Sequence, residues 1–249
     1  MSRREVLKYA AVAPVLFGLS TTLAPGAAAS AIAGMTVFLD PGHNGANDAS
    51  INRQVTNGRG GTKECQTTGT TTDGGFPEHT FNWDVVLAIR AALGQYGVRT
   101  AMSRGNDSAL GPCVDQRAAM ANAIHPDAVV SIHADGGPPD GRGFHVNYSS
   151  PPVNAAQAGP AVRFAQIMRD QLVAAGMQPS TYRGTDGLYG RADLAGLNLA
   201  QYPSILIEMG NMKNAADAAV LESAGGRAQL AAAVVSGVTS YLQQARVVG

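Results

Sequence analysis

Thr36-Val37-Phe38-Leu39-Asp40-Pro41-Gly42-His43-Asn44-Gly45 reads as a short buried strand that runs into a sharp turn. Thr36 to Leu39 are strand-type residues, and Pro41 and Gly42 cannot continue the run. His43 is therefore placed in a tight loop at the carboxyl end of a strand. In open α/β sheets, ligands bind along that edge. Two later apolar runs end comparably: Ala128 to Ile132 is followed by His133, and Ser204 to Ile207 by Glu208.

Outward from this strand, the chain alternates strands with helices. Glu78 to Leu93 predicts a helix, with Phe81, Val85, Ile89 and Leu93 on one apolar face. Pro77 precedes it, and Glu78 falls in its first turn, where a helix dipole favours a carboxylate. Val98 to Met102 predicts a strand, Val114 to Ile124 a helix, and Phe144 to Tyr148 a short strand. Ala155 to Ala175 predicts one helix. Tyr182 to Asn198 has no regular pattern. Ala215 to Gln244 reads as helical with a break near Gly225-Gly226. The alternation predicts a three-layer α/β/α domain with a mostly parallel twisted sheet flanked by helices. The segment 44–77 is rich in Gly, Thr and Asn and reads as a long inserted loop whose structure the pattern does not resolve.

The chain has 249 residues, with 18 basic and 18 acidic side chains. A formal charge of zero gives no electrostatic footprint for nucleic acid. Residues 1–31 read as a cleaved export signal. Arg3-Arg4 precedes an apolar run from Tyr9 to Leu19, and small residues follow, which suggests the twin-arginine route. Cleavage is expected between Ala29 and Gly34, leaving residues 34–249 as a single catalytic domain. Nothing after residue 35 is long and apolar enough to span a membrane, so the mature form is expected to carry no stable membrane anchor. It is expected to be a monomer and to reside in the periplasm, in the cell wall or outside the cell. In an exported protein the two cysteines, Cys65 and Cys113, most simply form one disulfide; two unpaired buried thiols are the alternative.

His43, Glu78, His133 and Glu208 carry the chemistry. Two imidazoles and one carboxylate are a donor set that catalytic zinc uses, and a further carboxylate nearby can shuttle a proton. Spacing alone does not decide which glutamate ligates and which is the base. No HExxH helix is present. Arg104 and Arg117 could hold substrate carboxylates or form internal ion pairs, with the ion pairs favoured. His79, His125 and His145 read as surface residues.

TVFLDPGHNG, PEHTFNWDVVLAI, SRGNDS with DQRAAMAN, VVSIHAD and PSILIEMGNMKN occur in that order. Together they resemble the zinc-dependent N-acetylmuramoyl-L-alanine amidases of the type-3 catalytic domain, from Met35 to the C-terminus. The resemblance implies one Zn²⁺ held by His43, Glu78 and His133, with Glu208 as the catalytic acid/base. It implies hydrolysis of the amide between N-acetylmuramic acid and L-alanine in peptidoglycan or its fragments. A zinc peptidase acting within the stem peptide and a non-catalytic wall-binding module are the alternatives. The segment between His43 and Glu78 looks longer than the family's usual connection, and no added wall-anchoring module is seen.

Overall fold

The computed structural model describes residues 31–248; the export-signal reading therefore lies, but for Ala31, outside the described residues. The strands are β1 (Thr36–Pro41), β2 (Gln54–Thr56), β3 (Thr62–Glu64), β4 (Arg99–Met102), β5 (Ala128–Asp135), β6 (His145–Ser149), β7 (Leu188–Arg191) and β8 (Ser204–Asn211). The helices are α1 (Glu78–Gln95), α2 (Val114–Ala123), α3 (Ala155–Ala158), α4 (Pro160–Ala174), α5 (Ala195–Asn198), α6 (Ala215–Glu222) and α7 (Ala224–Val248). Six strands form one sheet in the order β4-β1-β5-β8-β6-β7, and β2 and β3 form a separate hairpin. Every neighbouring pair of the large sheet is parallel except β6 with β8. The first crossover leads from β1 to β4 on one side, and the next returns to β5 on the other. β1 is thus the point where strand order reverses, the position at which such sheets open a crevice.

Strand alternation gives the sheet two unlike faces. Val37, Leu39, Val130, Ile132, Ile205 and Ile207 point to one side, where α1, α4 and α7 bury them. Phe81, Ile89, Phe164, Met168, Val234 and Leu242 complete this core. The opposite face is more polar and is only partly covered by α2 and α5. Its apolar cluster is small, built on Phe38, Ala121 and Val129. Asp40, Ser131, His133, Asp135 and Glu208 occupy the same face and line a cleft there.

Several elements differ from the pattern-based reading. β5 and β8 run past His133 and Glu208, because parallel pairing continues through His133 and Glu208 themselves. Pro160 has no N–H and ends the expected single helix, dividing it into α3 and α4 at Gly159. The break before α7 lies at Ser223, whose Oγ accepts the Gly226 N–H at 2.9 Å as an N-cap, so Gly225-Gly226 sit inside the first turn. β7 and α5 arise within the stretch read as irregular. Residues 44–77 contain a 3₁₀ turn (Ala49–Asn52) and the β2–β3 hairpin. Cys65 and Cys113 are disulfide-bonded, with Cα atoms 4.5 Å apart.

The turn after β1 is buried, so its carbonyls need internal donors. Two arginines and one asparagine supply them. Arg117 Nη1 donates to Pro41 O at 2.8 Å, and its Nη2 donates to His43 O at 2.6 Å and Asn44 Oδ1 at 2.8 Å. Its Nε donates to Pro112 O at 3.0 Å. Arg104 donates to Pro41 O, Asn106 O, His79 O and Asp107 Oδ1, with Gly42 O more distant at 3.5 Å. Asn82 Nδ2 donates to Gly42 O at 3.2 Å. A guanidinium has five N–H groups, and both arginines spend theirs inside the protein. Among the described residues, the N–H groups of Arg104 and Arg117 thus meet carbonyls and carboxylates of the protein itself.

Arg117 is balanced by Asp40, whose Oδ1 lies 2.7 Å from Nη1. The hydroxyls of Ser103 and Ser131 also donate to Asp40, at 2.5 and 2.6 Å. Burial alone would raise this carboxyl's pKa, but Arg117 and the two hydroxyls outweigh burial and hold it at about 2.

Two outcomes follow from this packing. Phe164 is fully buried and stacks on Tyr241 with ring centroids 4.3 Å apart. Phe164→Ala should lower the unfolding free energy by roughly 3–5 kcal/mol in urea. Asp40→Asn strands the Arg117 charge and should cost roughly 3 kcal/mol at neutral pH. Because the folded pKa is depressed, the Asp40 contribution is complete above about pH 4. It is lost as pH falls toward about 2, so the gap between wild type and Asp40→Asn should close across that window. A gap independent of pH in urea unfolding would contradict this.

Candidate metal centre

His43, Glu78 and His133 converge from three elements, and one donor atom from each lies within 4.8 Å of the other two. His43 sits in the turn with φ +60°, the left-handed region that glycine favours. Gly42 beside it has no room for a side chain: an added Cβ would lie 2.2 Å from the His133 ring. The two imidazoles meet edge to face, with centroids 4.8 Å apart. Glu78 opens α1 but turns its carboxylate toward the rings. Its Oε2 lies 3.0 Å from His43 Nε2, and its Oε1 lies 3.0 Å from His133 Nδ1. Backbone N–H groups of Thr70 and Ala134 donate to the same two oxygens, at 3.0 and 3.1 Å.

The electrostatics follow from this packing. Burial would push the Glu78 pKa up, but the His43 charge and both imidazole hydrogen bonds drive it far below the usual carboxylate range. Burial disfavours a charged His43, yet Glu78 pulls that ring's pKa above its ordinary value. His133 goes the other way, lowered by burial despite Glu78. His43 Nδ1 lies 2.9 Å from the Thr67 carbonyl. A proton on Nδ1 would be donated there, leaving Nε2 free to ligate. Two imidazole nitrogens and an ionised carboxylate, oriented by backbone groups, are a donor set that fits a zinc ion.

Glu208 stands beside this trio. It is the register partner of His133 on β5 and of His145 on β6. Its Oε2 is buried and has no hydrogen-bond partner among the described residues. Burial, with the negative charges of Glu78 and Asp135, raises its pKa well above the ordinary glutamate value. A buried carboxyl oxygen without a partner is costly unless something else engages it. The four residues line a cleft of about 420 Å³, whose apolar lining includes Phe38, Ala118, Ala121 and Leu197. Lys63, Gln66 and Thr67 of the inserted segment also line it. Arg59 ties the hairpin across to the far side, donating to Asn198 Oδ1 at 3.0 Å, Ser149 Oγ at 2.9 Å and Pro151 O.

His145, read as a surface residue, is only 1% exposed. It lies on the polar face of β6 between the rings of Tyr182 and Tyr189, and burial lowers its pKa to about 4. His79 is half-buried against Asp107, and His125 is exposed. Thr67, Asn82 and Asp40 are parts of the site that the sequence reading missed. Asp40 was in plain view within DPGH, but only the fold shows its buried arginine.

A family model described as N-acetylmuramoyl-L-alanine amidase matches residues 37–240. The N-acetylmuramoyl-L-alanine amidase Rv3717 of Mycobacterium tuberculosis is 66% identical over 233 residues, covering 94% of each chain. The crystal structure of the amidase Ami1 from Mycobacterium smegmatis superposes with a TM-score of 0.85 at 67% identity, covering 86% of this chain and 99% of that one. The amidase AmiC2 of Nostoc punctiforme gives 0.64 at 25% identity over 84% of this chain and 97% of its own. This chain belongs to the N-acetylmuramoyl-L-alanine amidase family of the type-3 catalytic domain.

Proposed function

We propose that the protein is an exported, zinc-dependent amidase that cuts the bond between the lactyl group of N-acetylmuramic acid and L-alanine in peptidoglycan or its fragments. The observation that carries this reading is the unpartnered Glu208 carboxyl beside the His43–Glu78–His133 trio. Amidase activity is also the activity for which the close relatives are named.

His43, Glu78 and His133 would hold the ion. Bound zinc would supply Lewis acidity, bringing a water's pKa toward neutrality and polarising the scissile carbonyl. Glu208 as carboxylate accepts the proton of the attacking water. Glu208 as carboxylic acid then returns it to the departing amine of L-alanine. A pKa raised from the ordinary glutamate range suits both halves of that transfer near neutral pH. The Thr67 carbonyl keeps the His43 ring turned, and the Arg104 and Arg117 clamp holds the backbone beneath it. Retention of a proton-shuttling carboxyl also speaks against a module that only binds the wall.

Glu208→Gln should keep stoichiometric zinc while losing roughly 10²- to 10⁴-fold in turnover of a muramyl peptide. Mass spectrometry of the wild-type digest should show a free lactyl carboxyl and a stem peptide beginning at L-alanine. Cleavage inside the stem would instead identify a peptidase, and undiminished turnover by the variant would remove Glu208 from the mechanism.

A further inference from the structure

His43 is held from two directions, and both holds lead to the same disulfide. One hold is on the ring: Nδ1 lies 2.9 Å from the Thr67 carbonyl, with Nε2 turned toward Glu78. The other is on the backbone: the His43 carbonyl accepts from Arg117 Nη2 at 2.6 Å. Thr67 comes two residues after Cys65. Arg117 comes four residues after Cys113, about one helical turn along α2. The bond between Cys65 and Cys113 therefore joins the segment that carries the ring's acceptor to the helix that carries the backbone clamp.

His43 needs these holds. Its φ of +60° lies in the left-handed region, which disfavours a residue with a Cβ, so holds on the ring and backbone favour this conformation. The segment carrying Thr67 has little regular structure of its own, a 3₁₀ turn and a hairpin of three-residue strands. Cys65 is fixed by its N–H on Arg53 O at 2.7 Å and by its carbonyl, which accepts from Val114 N–H at 2.8 Å. Both sulfurs are buried, packed with Val55 and Val114.

We infer that the Cys65–Cys113 disulfide is a positioning element of the metal centre: it fixes the Thr67 carbonyl relative to the Arg117 clamp, so that His43 presents Nε2 to the ion. The inference rests on the zinc reading given above. The Val114–Cys65 backbone bond survives loss of the sulfur bridge, so the site should weaken and not vanish. Loss of an outer partner of a metal-bound histidine typically costs about 10- to 100-fold in metal affinity.

The test is a zinc competition titration against a chromophoric chelator, on wild type and on the Cys65→Ala/Cys113→Ala double variant. Long-range ¹H–¹⁵N NMR of the imidazoles, at saturating zinc, reports the His43 tautomer in each. The double variant should keep its circular dichroism spectrum, bind zinc about 10- to 100-fold more weakly and lose the single Nδ1–H tautomer of His43. Wild-type affinity with an unchanged tautomer in the variant would overturn the inference while leaving the metal centre in place. A His43→Ala variant that takes up zinc as tightly as wild type would overturn both. Should the double variant fail to fold, wild-type protein with its disulfide opened by a phosphine is read by the same criteria.

Discussion

The centre depends on a buried turn whose carbonyls must be satisfied from within. Pro41, Gly42 and His43 point their carbonyls inward, and Arg104, Arg117 and Asn82 meet them. Burying a guanidinium is itself costly unless its charge is matched, and Asp40 and Asp107 match the two arginines. The arginines thus convert a left-handed turn into a rigid platform. On it, His43 faces a carboxylate delivered by α1 and an imidazole delivered by β5. Gly42 allows that approach because any side chain there would strike the His133 ring.

The two faces of the sheet divide the work of folding and chemistry. One face is continuous aliphatic surface under three long helices, and it supplies the large core. The other has only α2 and α5 over it, so polar residues at alternate positions of β1, β5 and β8 can share a cleft. Charge is placed there against its own desolvation. Glu78 stays ionised because two imidazoles and two backbone N–H groups engage it. Glu208, with none of these, is pushed toward its neutral form. Neighbouring carboxyls with such opposed environments are suited to different tasks, one to hold a cation and the other to carry a proton.

Most of the framework was legible in the sequence because it rests on local signals. The apolar run before Asp40-Pro41-Gly42, the fourfold spacing from Phe81 to Leu93, and the aliphatic runs before His133 and Glu208 each announce their element. What was not legible depends on partners distant in the chain. Leu188–Arg191 becomes a strand only because β6 pairs with it, and nothing in its own pattern alternates. His145 looks like any strand-edge polar residue until Tyr182 and Tyr189 close over it. Arg104 and Arg117 are ambiguous in sequence, since a substrate carboxylate and a row of backbone carbonyls demand the same fork of donors. The disulfide was read from the cysteine count, whereas its route from Thr67 to Arg117 appears only in three dimensions.

The most direct test of the account is a zinc-soaked crystal of the protein, with data collected on both sides of the zinc absorption edge. The account predicts one anomalous peak, bounded by the side chains of His43, Glu78 and His133, with Glu208 adjacent but not among the ligands. A peak held by other residues, or none at this cleft with the protein intact, would contradict it.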